Sequence, residues 1–405
     1  MVFMIVRNLH AEIKDLIVQK RSIFLFGPRQ TGKTTLLEAI SSQYRKVLEY
    51  SFLNIALKLK AEQQPQFIRQ EIEAARPDLV IIDEVQKVPQ ILDEVQWMID
   101  KTKTVFAVTG SSARKLKRKG VNLLAGRAIT FRLDPFDISE RQRAVPDLKG
   151  RDWLKKILTY GDLPEIALLV QQDRLKLVDN LLRSYVETFL EEEVRMEALV
   201  RKIGLFGNFL RLAAEMSGKL LSFRELSQDI GVSHQTISSF YGILNDCLVV
   251  EPVPPLLPAT SRRRLSKATK FIFFDLGVRN ATAGMLQREG ITPEEWGNRF
   301  EQWVGLSLIR YFRSRNLRGS VYYWRDHNGP EIDWIVEMNN RWIPVEVKFS
   351  DNPQPRHSKA LSQFIQENPK KASVGYIVFA GDRARQIDQN IIALPWFELY
   401  RIFNQ

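Results

Sequence analysis

The stretch Ser22-Ile23-Phe24-Leu25-Phe26-Gly27-Pro28-Arg29-Gln30-Thr31-Gly32-Lys33-Thr34-Thr35-Leu36-Leu37-Glu38-Ala39-Ile40 falls into three parts with different physical demands. Residues 22–26 are a short apolar run of the kind that makes a buried strand, and residues 35–40 read as a helix. Between them lies GPRQTGKT, a turn with glycines at both ends of its polar part. Strand, glycine-rich turn and helix N-terminus in this order form a phosphate cradle, because the turn and the first helical residues present backbone N–H groups that no main-chain acceptor uses. Gly27, Pro28, Arg29, Gln30, Thr31, Gly32, Lys33, Thr34 and Thr35 are therefore expected to surround a nucleoside triphosphate, with ATP and Mg²⁺ as the cofactors. Lys33 would reach the β- and γ-phosphates, and the Thr34 hydroxyl would ligate Mg²⁺.

A cradle of this kind needs carboxylates nearby. Leu79-Val80-Ile81-Ile82-Asp83-Glu84 is an apolar run ending in two acids, as a buried parallel strand would deliver them at its C-terminal end. Asp83 is expected to hold Mg²⁺ through water and Glu84 to polarise the attacking water; a surface acidic pair is the plainer alternative. Lys46–Phe52 reads as an extra strand between the two motifs and Phe67–Ala75 as a helix. An inserted strand and an adjacent Glu are features of the ATP-hydrolysing branch of P-loop proteins. A fourth strand, Thr104–Val108, leads into Thr109-Gly110-Ser111-Ser112, whose hydroxyls stand where a γ-phosphate or water sensor would, unless they are an ordinary Ser-rich turn.

Composition agrees with a globular protein. The 405 residues allow two to four domains, and 44% hydrophobic with 26% charged residues supports a real core. No apolar run approaches the ~20 residues that cross a bilayer, and the N-terminus becomes charged too soon for a secretory signal, so no membrane partner is expected. The single Cys247 cannot form an internal disulfide, which suits a reducing cytoplasm. The net charge of +12 is clustered in Arg114–Lys119 and in Arg262, Arg263 and Arg264 with Lys267 and Lys270. Either run alone reads as a solvated face; together they point to a polyanion, of which nucleic acid is the commonest.

The remaining motifs follow in order. Arg127, in Leu124-Ala125-Gly126-Arg127, could be the finger that a neighbouring subunit inserts toward the γ-phosphate, or a surface residue. Residues 151–203 are helical in pattern and read as a small lid, with Gly161-Asp162-Leu163-Pro164-Glu165 as a turn able to abut nucleotide. Leu221–Ile230 and His234–Leu244 read as two helices around a Gly231-Val232-Ser233 turn, and a following strand-like run completes a winged helix-turn-helix over 204–258. His234, Gln235 and Ser238 suit a groove reader, although winged helices also dock proteins. Pro252, Pro254, Pro255 and Pro258, with the Arg run, are expected to form a linker.

Past residue 259 a long helix opens at Trp296, Val321–Arg325 is strand-like, and Glu331–Val336 with Trp342–Lys348 looks like a hairpin. Asp333 and Glu346 would meet on that hairpin with Lys348 on the same face, and Glu301 could add a carboxylate. Two acids and a lysine are what metal-dependent phosphodiester cleavage needs; a surface hairpin of alternating charge is the alternative.

The ordered set GPRQTGKT, LVIIDEVQ, the GSS turn, LAGRA, GDLPE and EIDWIV…IPVEVK resembles a prokaryotic AAA+-type ATPase family whose members carry an uncharacterised C-terminal domain (DUF4143-type) of the restriction-endonuclease-like, PD-(D/E)xK fold. The likeness runs over nearly the whole chain; Tyr160-Gly161-Asp162 departs from it where relatives show paired glycines. It implies an α/β protein with four parts: a P-loop AAA+ core at 1–150, a helical lid at 151–203, a winged helix at 204–258 and a PD-(D/E)xK nuclease-like domain at 259–405. By the resemblance, Lys33, Thr34, Asp83 and Glu84 match the nucleotide motifs, while Glu301, Asp333, Glu346 and Lys348 match the nuclease motif. The functional expectation is an oligomeric ATPase, hexameric ring included, that moves branched or forked DNA. The alternative is a STAND-like switch in which ATP binding alters a DNA-bound or partner-bound state.

Overall fold

A computed structural model of the protein describes residues 5–102, 104–111, 126–190, 203–257, 268–286, 288–326 and 329–404. The Arg114–Lys119 and Arg262–Arg264 runs, Lys267 and Ser112 lie outside the described residues. The chain divides into two compact units, one of Met1–Asp134 with the short segments 246–249 and 313–316, the other of the remaining residues.

The first unit is a five-stranded sheet between helices. Its elements run α1 (His10–Val18), β1 (Ser22–Phe26), α2 (Lys33–Ser41), β2 (Val47–Ser51), α3 (Ile55–Gln63), α4 (Phe67–Ala75), β3 (Leu79–Asp83), α5 (Ile91–Thr102), β4 (Phe106–Gly110) and β5 (Ala128–Arg132). The strand order is β2-β3-β4-β1-β5 and every pairing is parallel. Alternation along the central strands feeds two cores. Ile23, Leu25, Ile81 and Ala107 pack with Leu9, Ile13, Leu36, Leu37 and Ile40 on one face. Phe24, Phe26, Val80, Ile82 and Val108 pack with Ile68, Ile72, Leu92, Val95 and Met98 on the other. Strands β1, β3 and β4 are buried throughout, as expected of strands covered on both faces. The extra strand expected between the two motifs is β2, and it takes the sheet edge.

The second unit opens with helices α6 (Ile138–Ala144), α7 (Gly150–Tyr160), α8 (Pro164–Gln171) and α9 (Leu175–Ser184), the last continuing as a wider π-type turn at Tyr185–Leu190. Next come α10 (Ile203–Glu215), α11 (Phe223–Ile230) and α12 (His234–Asp246), then the antiparallel strands β6 (Val250–Val253) and β7 (Lys270–Phe273). Ser222 accepts from Glu225 N and Ser233 from Thr236 N, so both turns into helices are side-chain capped. Phe206, Phe209, Phe223, Phe240, Tyr241 and Phe271 pack together and join these helices to β7.

Two expectations about the proline-rich stretch differ from this arrangement. Pro252 sits inside β6, opposite Phe271; with β7 as its partner and no further strand paired to β6 among the described residues, an N–H there is dispensable. Residues 254–256 then run beside Tyr323, whose N–H donates to Pro254 O while Leu256 N donates to Tyr323 O. The 258/259 boundary thus falls in sequence between two paired strands, and Pro258 with the rest of 258–267 lies outside the described residues.

The chain ends in a six-stranded mixed sheet of order β12-β13-β11-β10-β9-β8. Helices α13 (Leu276–Thr282) and α14 (Pro293–Arg313) lead into β8 (Ser320–Arg325), β9 (Glu331–Met338) and β10 (Arg341–Lys348). Then follow α15 (Lys359–Glu367), β11 (Gly375–Phe379), β12 (Arg385–Asp388), β13 (Ile391–Pro395) and a 3₁₀ turn at Trp396–Phe403. Asn339 and Asn340 both adopt left-handed φ and make the β9–β10 turn, the geometry a two-residue hairpin loop requires. Leu361, Phe364 and Ile365 of α15 pack on Trp324, Ile332, Ile335 and Ile377. Helix α14 approaches so closely that a Cβ on Gly305 would lie 2.3 Å from the Trp334 ring.

Candidate functional site

The GPRQTGKT loop joins β1 to α2, as its sequence requires. Gly27 has no room for a side chain: a Cβ would stand 2.1 Å from Leu133 O. Gln30 and Gly32 take left-handed φ of 59° and 87°, and α2 starts without a side-chain cap. Lys33 is buried, and its Nζ donates to Gly27 O at 2.8 Å and Pro28 O at 2.9 Å, so the ammonium lies along the inner side of the loop. Thr31 Oγ1 donates to Pro28 O. A further support is Arg7, buried before α1, whose guanidinium donates to Thr31 O at 2.5 Å and to Asp134 O at 2.7 Å.

The acids at the end of β3 face this loop. Thr34 Oγ1 is 3.4 Å from Asp83 Oδ1, and Thr109 Oγ1 donates to the same oxygen at 2.5 Å. A hydroxyl and a carboxylate so placed fit a hard, oxygen-seeking cation such as Mg²⁺ that leaves most of its shell to water and phosphate. Glu84 takes a left-handed φ of 57°, a conformation costing on the order of 1–3 kcal/mol for a residue with a side chain. It is held there at both ends. Its N–H donates to Thr109 Oγ1 at 3.1 Å, and its Oε2 accepts from Ser111 Oγ at 2.8 Å and from Gln86 Nε2. Gln86 Nε2 also donates to Ser111 Oγ. The hydroxyls at the end of β4, expected as sensors, thus orient both acids.

A second cluster forms where β9 and β10 separate. Their ladder reaches Val345 opposite Trp334 and stops, after which β10 pairs with β11. Across β8 and β9 the register shifts between Tyr322–Trp324 and Ile335–Ile332, a bulge that inserts an extra β9 residue beside Asp333. Bulges re-aim side chains, and here Asp333 Oδ2 accepts from Val347 N at 2.7 Å. Lys348 Nζ pairs with Glu346 Oε1 at 2.6 Å, and Glu346 Oε2 is buried with no hydrogen-bond partner among the described residues. Lys270, at the start of β7, enters the same cluster: its Nζ is 3.1 Å from Glu301 Oε1 and 3.2 Å from Glu331 Oε1. This lysine is only 3% exposed, which removes it from the solvated basic run its sequence position suggested.

The four expected residues Glu301, Asp333, Glu346 and Lys348 are therefore brought into mutual electrostatic range. Burial, with Asp333 next in weight, raises Glu301 to about 7 against the pull of Lys270. Burial and Asp333 likewise raise Glu346 to about 8 against Lys348. Asp333 is also raised by burial, against Lys348 and Lys270. For Lys270 burial opposes the charge, yet Glu301, Glu331 and Asp333 outweigh it and hold the ammonium above its ordinary value. Among the described residues, no three His, Cys, Asp or Glu side chains converge so that they could hold a metal ion as they stand. The Mg²⁺ expected on these acids does not fit the arrangement, because ammonium groups and a backbone N–H already engage them.

Residues 19–142 match the AAA domain family model. This part of the chain is an AAA-type ATPase domain. Residues 151–289 and 296–399 match two domains of unknown function, DUF8612 and DUF4143. Uncharacterised proteins of Mycobacterium tuberculosis and Mycobacterium bovis are each 22% identical over 391 residues, 96% of this chain and 83% of theirs. Among solved structures, the Walker-type ATPase PABY2304 of Pyrococcus abyssi is 13% identical, with a TM-score of 0.49, 69% of this chain covered and 96% of that one. The ADP form of the Aeropyrum pernix ORC2 protein is 14% identical, with a TM-score of 0.35, 71% of this chain and 96% of that one.

In the AAA domain, Arg127 lies at the surface with its Nε 2.8 Å from Asp100 Oδ1. Elsewhere, His234, Gln235 and Ser238 are exposed at the start of α12, with Ile237, Phe240 and Tyr241 turned inward. The GDLPE turn makes buried polar contacts within the second unit. Asp162 is buried and accepts from Arg141, Arg310 and Trp303, while its N–H donates to Asp275. A buried carboxylate needs such partners, and they tie α6, α13 and α14 together. Sequence reading passed over Arg7, Gln86 and the true place of Lys270. For Gln86 the signal was its spacing, two residues past Glu84. For Lys270 it was the apolar Phe271-Ile272-Phe273-Phe274 that follows. Nothing local marks Arg7. No helix among the described residues is long and apolar enough to cross a membrane.

Proposed function

We propose that the protein is an ATP-hydrolysing motor acting on DNA, with branched or forked DNA as the preferred substrate. The observation that carries the ATP half is the meeting of Lys33, Thr34, Asp83 and Glu84 at the C-terminal ends of β1 and β3. When bound, Mg-ATP supplies a polarised γ-phosphoryl group. Lys33 neutralises charge on the terminal phosphates, Thr34 and Asp83 hold the cation, and Glu84 orients water and accepts its proton. Arg127, at the domain surface, would act on the γ-phosphate of a neighbouring copy in a homo-oligomer, a hexameric ring being the proposed form.

The DNA half rests on charge and on the helical region. A net charge of +12 favours a polyanion. Helices α10–α12 with the β6–β7 hairpin support a winged-helix reading, in which His234, Gln235 and Ser238 would face a groove. Arg262, Arg263 and Arg264 fall in sequence between β6 and β7, where a wing tip would reach phosphates. The C-terminal sheet then serves to hold DNA. The test is phosphate release measured with single-stranded, duplex, forked and four-way DNA. Forked and four-way DNA should stimulate most; equal rates with all four would overturn the DNA half.

One observation favours a second reading, an ATP-binding switch. Glu84 is held by Gln86 and Ser111, away from free rotation. If this hold keeps turnover low until a partner acts, Gln86→Ala should raise basal hydrolysis severalfold. In a motor whose Glu84 needs Gln86 for aim, the same change lowers it.

A further inference from the structure

The carboxylates of the C-terminal cluster already have a cation. Lys270 lies on β7, outside the sheet that carries Asp333 and Glu346, and its ammonium bonds Glu301 and Glu331 at 3.1 and 3.2 Å. Lys348 takes Glu346, and the Val347 N–H takes Asp333. Between them these donors engage one oxygen of each acid. The placement of Lys270 is secured from several directions. Lys270 pairs with Val253 across the hairpin, stands 4.9 Å over the Tyr323 ring, and bridges to Leu220. Tyr323 O–H in turn donates to Ala268 O, two residues before it. An arrangement fixed by strand pairing, an aromatic face and two ion pairs is part of the fold rather than a loose surface contact.

We propose that Lys270 is a resident cation that occupies the acidic cluster in place of a divalent metal, so that the intact protein excludes Mg²⁺ or Mn²⁺ from this site. The proposal rests on reading Glu301, Asp333 and Glu346 as a nuclease-type carboxylate set, and it assigns that set a closed, metal-free state. A divalent ion entering there meets a fixed positive charge and must take carboxylates from their existing donors. Removing the ammonium frees Glu301 and Glu331 to turn toward Asp333 and Glu346, and leaves Lys348 and the Val347 N–H as the donors an entering ion still has to displace.

The experiment is calorimetric titration of the nucleotide-free full chain with Mn²⁺ alone, on wild type, Glu346→Gln, Lys270→Met and Lys270→Met with Glu346→Gln. Methionine keeps the length of the stem and removes the charge. Wild type should show no Mn²⁺ binding that Glu346→Gln abolishes. Lys270→Met should gain one site at least tenfold tighter than anything in wild type, and the added Glu346→Gln should remove it. Circular dichroism checks folding, and Lys270→Gln, whose amide can still donate, replaces the methionine variant if that one unfolds. Mn²⁺ binding by wild type that is lost on Glu346→Gln overturns the proposal without any Lys270 variant. A folded Lys270 variant that gains no site overturns it as well. ATP hydrolysis on the same preparations reports the P-loop separately, so failure of this inference is distinguishable from failure of the motor reading.

Discussion

Lys33 and Glu84 each adjoin a member of the Thr34–Asp83 contact, yet their chemistry predicts different losses. Lys33 is the buried cation of the GPRQTGKT loop, so on the proposed function Lys33→Ala should weaken nucleotide binding and abolish hydrolysis. Glu84→Gln keeps the side chain's shape and an acceptor for Ser111 but cannot take a proton from water. Hydrolysis should fall by about 10²–10⁴-fold, the usual worth of a positioned base, with nucleotide affinity retained. Phosphate release and fluorescent-nucleotide titration separate the two outcomes. Unchanged turnover in Glu84→Gln would remove that residue from the proposed role. The left-handed backbone at Glu84 gives these expectations a structural basis, since Thr109, Ser111 and Gln86 all hold an otherwise unfavourable conformation.

Helices α6, α13 and α14 meet around charges that water does not reach. Asp275 caps α13, accepting from Gly277 and Val278, and lies 3.8 Å from Arg310. Burial raises its carboxyl to about 6, with Arg310 pulling the other way and Asp162 adding to the rise. A folded-state value above the unfolded one means the folded protein binds more protons between about pH 4 and 6. This group's contribution to stability is therefore full below pH 4 and is lost as pH rises through 6. At about 1.4 kcal/mol per pH unit, the change is on the order of 3 kcal/mol. Asp275→Asn does not titrate and can still cap α13. Urea unfolding at pH 4, 5 and 6 should show the wild type losing stability relative to this variant as pH rises. Parallel curves for the two proteins would show that Asp275 ionises normally. Gly161 belongs to the same crossing, since a Cβ there would lie 2.1 Å from Asp275 Oδ1 at a φ of +75°.

For the proposed action on DNA, the informative quantity is salt dependence. Each phosphate neutralised contributes about 0.9 to the slope of log affinity against log salt on duplex DNA. Replacing Arg262, Arg263 and Arg264 together by Gln should flatten that slope by up to about 2.7 if all three reach phosphates. Fluorescence anisotropy on labelled forked DNA across a salt series measures it. An unchanged slope would assign the run to solvent or to another copy of the chain. Lys270, six residues beyond this run and the first residue of β7, should add nothing to the slope, because it is buried against carboxylates.

Much of the AAA domain was legible because its signals are local. A five-residue apolar strand, a glycine turn and a helix start are neighbours in the chain, so Gly27–Thr35 could be read without knowing what packs against them. Asp83 and Glu84 were legible for the same reason, as acids at the end of a buried run. In the C-terminal sheet, residue types at i and i+2 on β10 were enough to pair Glu346 with Lys348. What lay beyond reading was set by contacts between distant segments. Arg7 reaches Thr31 only because α1 and α2 share one face of the sheet. Asp333 turns to Val347 because a bulge changes the register of β9. Lys270 leaves its basic run for an acidic cluster because β7 pairs with β6 and carries it inward. A charge in sequence has no address until the chain folds; burial and the nearest opposite charge decide whether it faces water, a ligand or its own protein.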